Sequence, residues 1–220
     1  SVNLFDGGSV NTPISYLPFT VGWDGTWLGE RRTTKLGLSV NFHVRNLVGN
    51  EAEFANRRFK GHSNYLFLRG NFSHTETFRP GWGLHGRAAW QIAAQPLILT
   101  EQSIVGGINT VRGYPEVAAL GDDSVTAGLE AFSPNFARHL VRTLDEFHLL
   151  AFIDGGHVRV QQALPGQIDR FNLLGTGVGL RLAGWKGVSA DFSYAVALEE
   201  VVGRTKAGDR RVHFTVRHAW

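Results

Sequence analysis

Nine segments of the chain, roughly 17–29, 34–46, 63–74, 81–94, 124–134, 146–158, 171–184, 187–198 and 210–220, alternate apolar and polar residues. That period belongs to β-strands with one apolar face, because successive side chains of a strand point to opposite sides. In the second segment Leu36, Leu38, Val40, Phe42 and Val44 alternate with Lys35, Gly37, Ser39, Asn41, His43 and Arg45. In the eighth, Val188, Ala190, Phe192, Tyr194, Val196 and Leu198 oppose Ser189, Asp191 and Ser193. The segments run to about 11–14 residues, where soluble strands centre on ~5–6. A membrane-crossing strand needs ~9–11 residues, tilted across the hydrocarbon. Length therefore favours an all-β, transmembrane antiparallel barrel over a soluble sandwich, whose turns should recur every ~8–12 residues.

The connections alternate as well. Those at 29–33, 76–80 and 184–187 are short, and those at 47–62, 96–123, 159–170 and 199–209 are long. Short turns at one end and long loops at the other are the habit of outer-membrane barrels. The exception, 135–145, falls on the short side and reads as a turn of helix carrying Phe136, Leu140 and Leu144. Trp27, Trp82, Phe147, Trp185 and Trp220 all fall near the short-turn end. They could be core aromatics of a soluble fold, but clustering at one end suits a membrane–water interface, where an indole ring is buried and its N–H stays wet.

The apolar face must be the outer one. Turning Arg69, Arg87 and Arg181 toward lipid would cost ~2–4 kcal/mol each near the midplane. The inner face then carries Lys35, Arg45, Arg69, Arg87, Arg181, Arg211 and Arg217 against Asp24, Glu130, Asp154 and Asp191, the wall of a wet lumen. Bacterial single-chain barrels have an even number of strands, so with nine either one strand is misread or the first part of the barrel is missing. The absence of methionine agrees with a processed or partial chain.

Other classes find little support. There is no cysteine, which removes disulfides and thiolate metal sites, and the net charge of +3 is spread without a basic tail that would signal nucleic acid. No apolar run reaches the ~18 residues of a transmembrane helix. No Gly-x-Ser-x-Gly elbow, His-Glu-x-x-His or phosphate loop is present. His43, His85, His148 and His213 stand on different strands, so neither an enzyme nor a cofactor is implied.

One loop stands out. The 96–123 segment exceeds the ~12–15 residues at which a connection without structure becomes unusual. Near its middle lie Val111, Arg112, Gly113 and Tyr114. Strand parity puts Thr126, Gly128 and Glu130 inward on the following strand, and His148, Leu150, Phe152, Asp154 and Gly156 inward on the next. An arginine folded into the lumen is partly desolvated and needs charged partners. Asp154 is the natural one with Glu130 close by, since a guanidinium can bond two carboxylates in planar geometry. Gly113 permits a sharp reversal, and Tyr114 can pack on the wall.

Gly107, Val111-Arg112-Gly113-Tyr114, Glu116, Gly121-Asp122, the Glu130 strand ending in Pro134, and Phe152-x-Asp154-x-Gly156 together resemble the signature of TpsB proteins. These are haemolysin secretion/activation proteins, the outer-membrane transporters of two-partner secretion, in the superfamily of barrel-assembly insertases. The run Gly175-x-Gly177-x-Gly179-x-Arg181 and the amphipathic last strand match too, and the resemblance is good from about Ser103 to Trp220. It implies a sixteen-stranded barrel in the bacterial outer membrane, preceded by POTRA domains and exporting a large adhesin or cytolysin. Residues 1–220 would supply the last nine strands, with 1–15 left over from a surface loop and 96–123 entering the lumen.

The resemblance also implies that Arg112 locks onto Asp154. The last strand, with Val212, Phe214, Val216 and Trp220, would be the signal read by the barrel-assembly machinery. The chain departs from the family in ending on Trp220 rather than phenylalanine and in carrying His218 at a usually apolar position. The implied partners are outer-membrane lipid, that machinery and the secreted exoprotein. An insertase for other outer-membrane proteins is the alternative within the superfamily. A passive porin would have no need of the arginine loop.

Overall fold

The computed structural model describes residues 14–45, 47–49, 51–137, 144–184 and 187–219. Its long strands are β1 (Phe19–Leu28), β2 (Arg32–Phe42), β3 (Leu66–Thr77), β4 (Gly83–Ala93), β7 (Asp123–Phe132), β8 (Leu144–Arg159), β9 (Arg170–Gly184), β10 (Val188–Ala197) and β11 (Arg210–His218). They form one nine-stranded sheet in chain order, interrupted only by β5 (Ser103–Val105) and β6 (Ala119–Gly121), which pair with each other. Every neighbouring pair is antiparallel, as a meander with short reversals requires. The all-β reading of the alternation holds.

One face of the sheet is apolar and open. Val21, Leu38, Leu68, Leu129, Ile153, Val178, Phe192, Val212, Phe214 and Val216 are all exposed on it, and Phe214 is 76% exposed. So large an uncovered apolar surface is stable only against lipid or a partner. Trp27 and Trp82 lie on it beside the short turns, each about half exposed, and Phe147 is half-buried. Small residues let the larger rings lie flat: Trp90 covers Gly70, where a Cβ would meet the ring at 2.1 Å. The opposite face is polar, and the 96–123 segment packs against it. Its core holds Val105, Val111, Tyr114, Ala118, Val158, Leu173, Ala197 and Val201.

Several boundaries differ from the sequence reading. The 96–123 segment lacks alternation yet is pinned by the β5–β6 ribbon, too short for periodicity to register. The 47–62 connection holds a helix, α1 (Glu51–Arg57), which buries Phe54 against Tyr65, Phe67, Leu97 and Ile98. β2 ends at Phe42, so Arg45 lies beyond the wall and pairs with Glu51 at 3.7 Å. β3 is displaced toward the short-turn end, and Leu144 opens β8 rather than closing a helical turn. Residues 1–13 of the expected loop remnant, Leu140, Trp185 and Trp220 lie outside the described residues.

Candidate functional site

The register of the sheet prepares a seat on its polar face. Asp154 stands on β8 with Gly128 opposite it on β7 and Gly175 opposite it on β9. Neither neighbour has a side chain, so the carboxylate is open from both flanks. A Cβ on Gly128 would lie 2.4 Å from Asp154 Oδ1, and one on Gly175 would lie 2.0 Å from the carbonyl oxygen of Arg112. The loop can approach the wall this closely only because these positions are bare. Gly156, one inward position further, faces Val111 Cγ2 at 3.0 Å by the same measure.

Arg112 fills the seat. Its Nε and Nη2 donate to the two oxygens of Asp154 at 2.6 and 3.1 Å, and its Nη1 donates to Glu130 Oε2 at 2.8 Å. The backbone N–H of Arg112 also donates to Asp154, at 3.3 Å. The guanidinium carbon lies 3.4 Å from the Phe152 ring centroid, a cation–π contact. Arg112, Glu130 and Asp154 are all buried, Asp154 completely. A desolvated guanidinium is tolerable here because two fixed carboxylates face it and its planar fork matches one of them with two parallel bonds.

The rest of the loop tip is fixed by shape. Gly113 has φ 96°, a left-handed conformation that a side chain would strain, and its N–H donates to His213 Nε2 at 3.3 Å. Tyr114 is completely buried. Its hydroxyl donates to Glu199 O at 2.7 Å, with Leu174 O at 3.1 Å, and accepts from the amides of Leu174 and Glu199 at 3.1 and 3.2 Å. One phenol thus ties the tip to β9 and to the connection between β10 and β11.

The two carboxylates have partners beyond Arg112, and here the sequence reading was incomplete. Arg87 on β4 donates to Asp154 Oδ1 at 3.1 Å and also holds the loop carbonyl of Thr110 at 3.0 Å. Arg181 on β9 donates to Glu130 at 3.1 Å and to Asp191 on β10 at 2.8 Å, and Arg217 on β11 stands 3.6 Å from Asp191. A row of alternating sign therefore crosses the wall as Arg87, Asp154, Arg112, Glu130, Arg181, Asp191, Arg217. Inward parity had placed each of the strand residues on this face. Their partnering needed the register, which parity alone does not supply.

A second buried pair closes the base of the loop. Asp122 is completely buried. It accepts from Leu97 N at 2.7 Å, Gln102 Nε2 at 3.1 Å, Arg58 Nη2 at 3.0 Å and Gln161 N at 2.7 Å. Asp122 belongs to the motif read from sequence, but nothing in the irregular 47–62 stretch singled out Arg58. Val212, Phe214 and Val216 are exposed on the opposite, apolar face of β11 and make no part of the Arg112 seat.

The site offers fixed charge and hydrogen bonds, with its carboxylates already engaged by arginines. Among the described residues no group of three or more His, Asp or Glu could hold a metal ion. Such an arrangement holds a segment in place.

No individually curated protein matches the chain. Among solved structures, CdiB from Escherichia coli aligns with a TM-score of 0.72 at 18% identity, over 90% of this chain and 36% of its own. CdiB from Acinetobacter baumannii aligns with a TM-score of 0.66 at 16% identity, over 90% of this chain and 32% of its own. The chain thus spans about a third of the length of either structure. At these identities the likeness establishes the fold, an antiparallel barrel wall. The family model of the haemolysin secretion/activation proteins ShlB/FhaC/HecB matches residues 16–182, most of the nine-stranded sheet. The chain therefore belongs to the haemolysin secretion/activation family, the TpsB barrels of two-partner secretion in the bacterial outer membrane.

Proposed function

We propose that this sheet is part of the wall of a pore that exports a large adhesin- or cytolysin-type exoprotein by two-partner secretion. In this reading the polar face lines the lumen, the 96–123 segment folds into it, and Arg112 latches the segment to the wall through Asp154 and Glu130. The observation that carries the reading is the burial of Arg112 between carboxylates of two adjacent strands, at a seat cleared by Gly128 and Gly175. A passive pore has no use for an internal segment fixed at such expense in desolvation. The apolar face meets lipid, and the outward side chains of β11 with Trp220 are the signal for the barrel-assembly machinery.

The test is charge reversal in the full-length protein, with Arg112→Glu and Asp154→Arg made separately. Each should abolish or strongly reduce secretion of the cognate exoprotein while heat-modifiable migration shows the barrel still inserted. Wild-type secretion by both inserted variants would sink the latch.

A further inference from the structure

The hairpin of β8 and β9 is the longest in the sheet, with strands of 16 and 15 residues. Its lipid-side residues begin apolar. From Phe147 upward on β8 come Leu149, Ala151 and Ile153, and from Leu182 upward on β9 come Leu180, Val178, Thr176 and Leu174. The pattern then changes on both strands at once. His157 stands opposite Asn172, joined to it at 2.7 Å, and on the next rung of the same face Arg159 stands opposite Arg170.

Height places that rung. Twelve residues separate Phe147 from Arg159 along β8. At ~3.3 Å per residue and a tilt of ~40°, that is a rise of ~30 Å, just beyond an apolar band ~25 Å tall. The two guanidinium groups therefore lie at the head-group level of the long-loop side, which is the outer leaflet. The upper ends of β1, β2 and β3 instead carry Phe19, Phe42 and Leu66, and Phe19 stacks on Phe42 at 5.5 Å.

Two like charges directly opposite on one face repel. Neither guanidinium is held by a close ion pair among the described residues. The Arg159 side chain is exposed and forms no hydrogen bond or ion pair among the described residues. Asp123 is its register partner on β7 but makes no ion pair with it; the Asp123 carboxylate is turned to Ala93 N at 2.9 Å and Gln161 Nε2 at 3.0 Å. Among the described residues Arg170 has only Asp169, 3.8 Å away and exposed. A cationic pair facing the membrane, held open on a rigid hairpin, is complementary to an anion supplied from the leaflet.

We infer that Arg159 and Arg170 form a site for a phosphorylated glycolipid head group of the outer leaflet, fixing the β8–β9 hairpin in the membrane. The inference rests on the outer-membrane pore reading above and adds a lipid of stated chemistry at a stated place. The experiment titrates the full-length protein in neutral detergent with bisphosphorylated lipid A, or with its dephosphorylated form, and counts bound lipid by native mass spectrometry. Wild type should prefer the phosphorylated lipid. Arg159→Gln with Arg170→Gln should weaken that binding about 30-fold, the effect of removing two basic side chains from an anionic surface. Replacing both by lysine should keep most of it.

Equal binding of the two lipids by wild type, or undiminished binding by a folded double Gln variant, overturns the site. The wild-type comparison decides alone if the Gln variant does not fold. A wild-type protein without heat-modifiable migration, binding neither lipid, would overturn the barrel reading itself. A folded barrel indifferent to phosphate would overturn only the head-group site.

Discussion

Arg112 and Arg58 each reach a completely buried aspartate from an irregular segment, yet the two pairs are built on different principles. At the tip, Asp154 is satisfied almost wholly by cations, Arg112 and Arg87, and by one backbone N–H. At the base, Asp122 is satisfied mainly by the chain itself, through the amides of Leu97 and Gln161 and the side chain of Gln102. Arg58 adds one nitrogen, shared with Gln161 O, and its buried Nε has no hydrogen-bond partner among the described residues. If Arg112 withdrew, Asp154 would keep Arg87 and Glu130 would keep Arg181. If Asp122 were lost, the amides of Leu97 and Gln161 would lose their acceptor, while Arg58 would keep Gln161 O at 2.6 Å. Withdrawal of the tip would therefore leave fewer groups unpaired than loss of Asp122 at the base.

The sharpest way to break this comparison is at the base. Asp122→Ala should lower the stability of the folded barrel by ~3–5 kcal/mol, the range for removing one partner of a buried pair. Urea unfolding in phospholipid vesicles measures it. A loss below that of the tip variant described next would show that the base is not the fixed point.

Arg112→Gln should cost less, ~1–3 kcal/mol, because both carboxylates retain an arginine. It should nevertheless free the tip more than Asp122→Ala does. A spin-label pair between position 109 and β4 would report this as a longer and broader distance distribution. If the tip distances stay at wild-type values, the latch is held by Tyr114 and Gly113, and the charges are secondary.

The difference between the two pairs also marks what sequence could reveal. Period-two alternation disclosed all nine long strands, because a one-residue slip would turn Arg69, Arg87 and Arg181 onto the lipid side and is strongly disfavoured. The same parity put Glu130 and Asp154 on one face, and the motif supplied Arg112. Arg87 and Arg181 were visible as wall residues but not as partners, since that depends on which residues stand opposite Gly128 and Arg181. Arg58 was not visible at all. Its role arises from α1 folding over the base, and a seven-residue helix without repeated apolar spacing leaves only Phe54 as a trace. Strand ends shifted by a few residues, as at Arg45, for a related reason: alternation continues past the last ladder bond.

The smallest effect expected is one of pH, and it acts on the base without touching the tip. Glu51 opens α1 and accepts from the hydroxyl and amide of Ser63 at 2.5 and 3.0 Å and from His62 at 2.7 Å. The Ser63 hydroxyl chiefly, then its amide, His62 and the Arg45 charge, hold the Glu51 carboxyl at about 2, below its ordinary 4.5, against a smaller upward push from burial. A group depressed in the folded state stabilises that state above its ordinary value and loses the contribution as pH falls toward the folded one. The 51–63 segment, which carries Arg58, should therefore loosen between pH 4.5 and about 2. Glu51 is partly exposed, so solvent screening keeps the change small. Amide-exchange protection of residues 51–63, corrected for the intrinsic pH dependence of exchange, should fall across that window, and Glu51→Gln should start low and stay flat. A Gln variant that retains the wild-type pH response would assign the loosening to some other carboxylate and remove Glu51 from the support of the base.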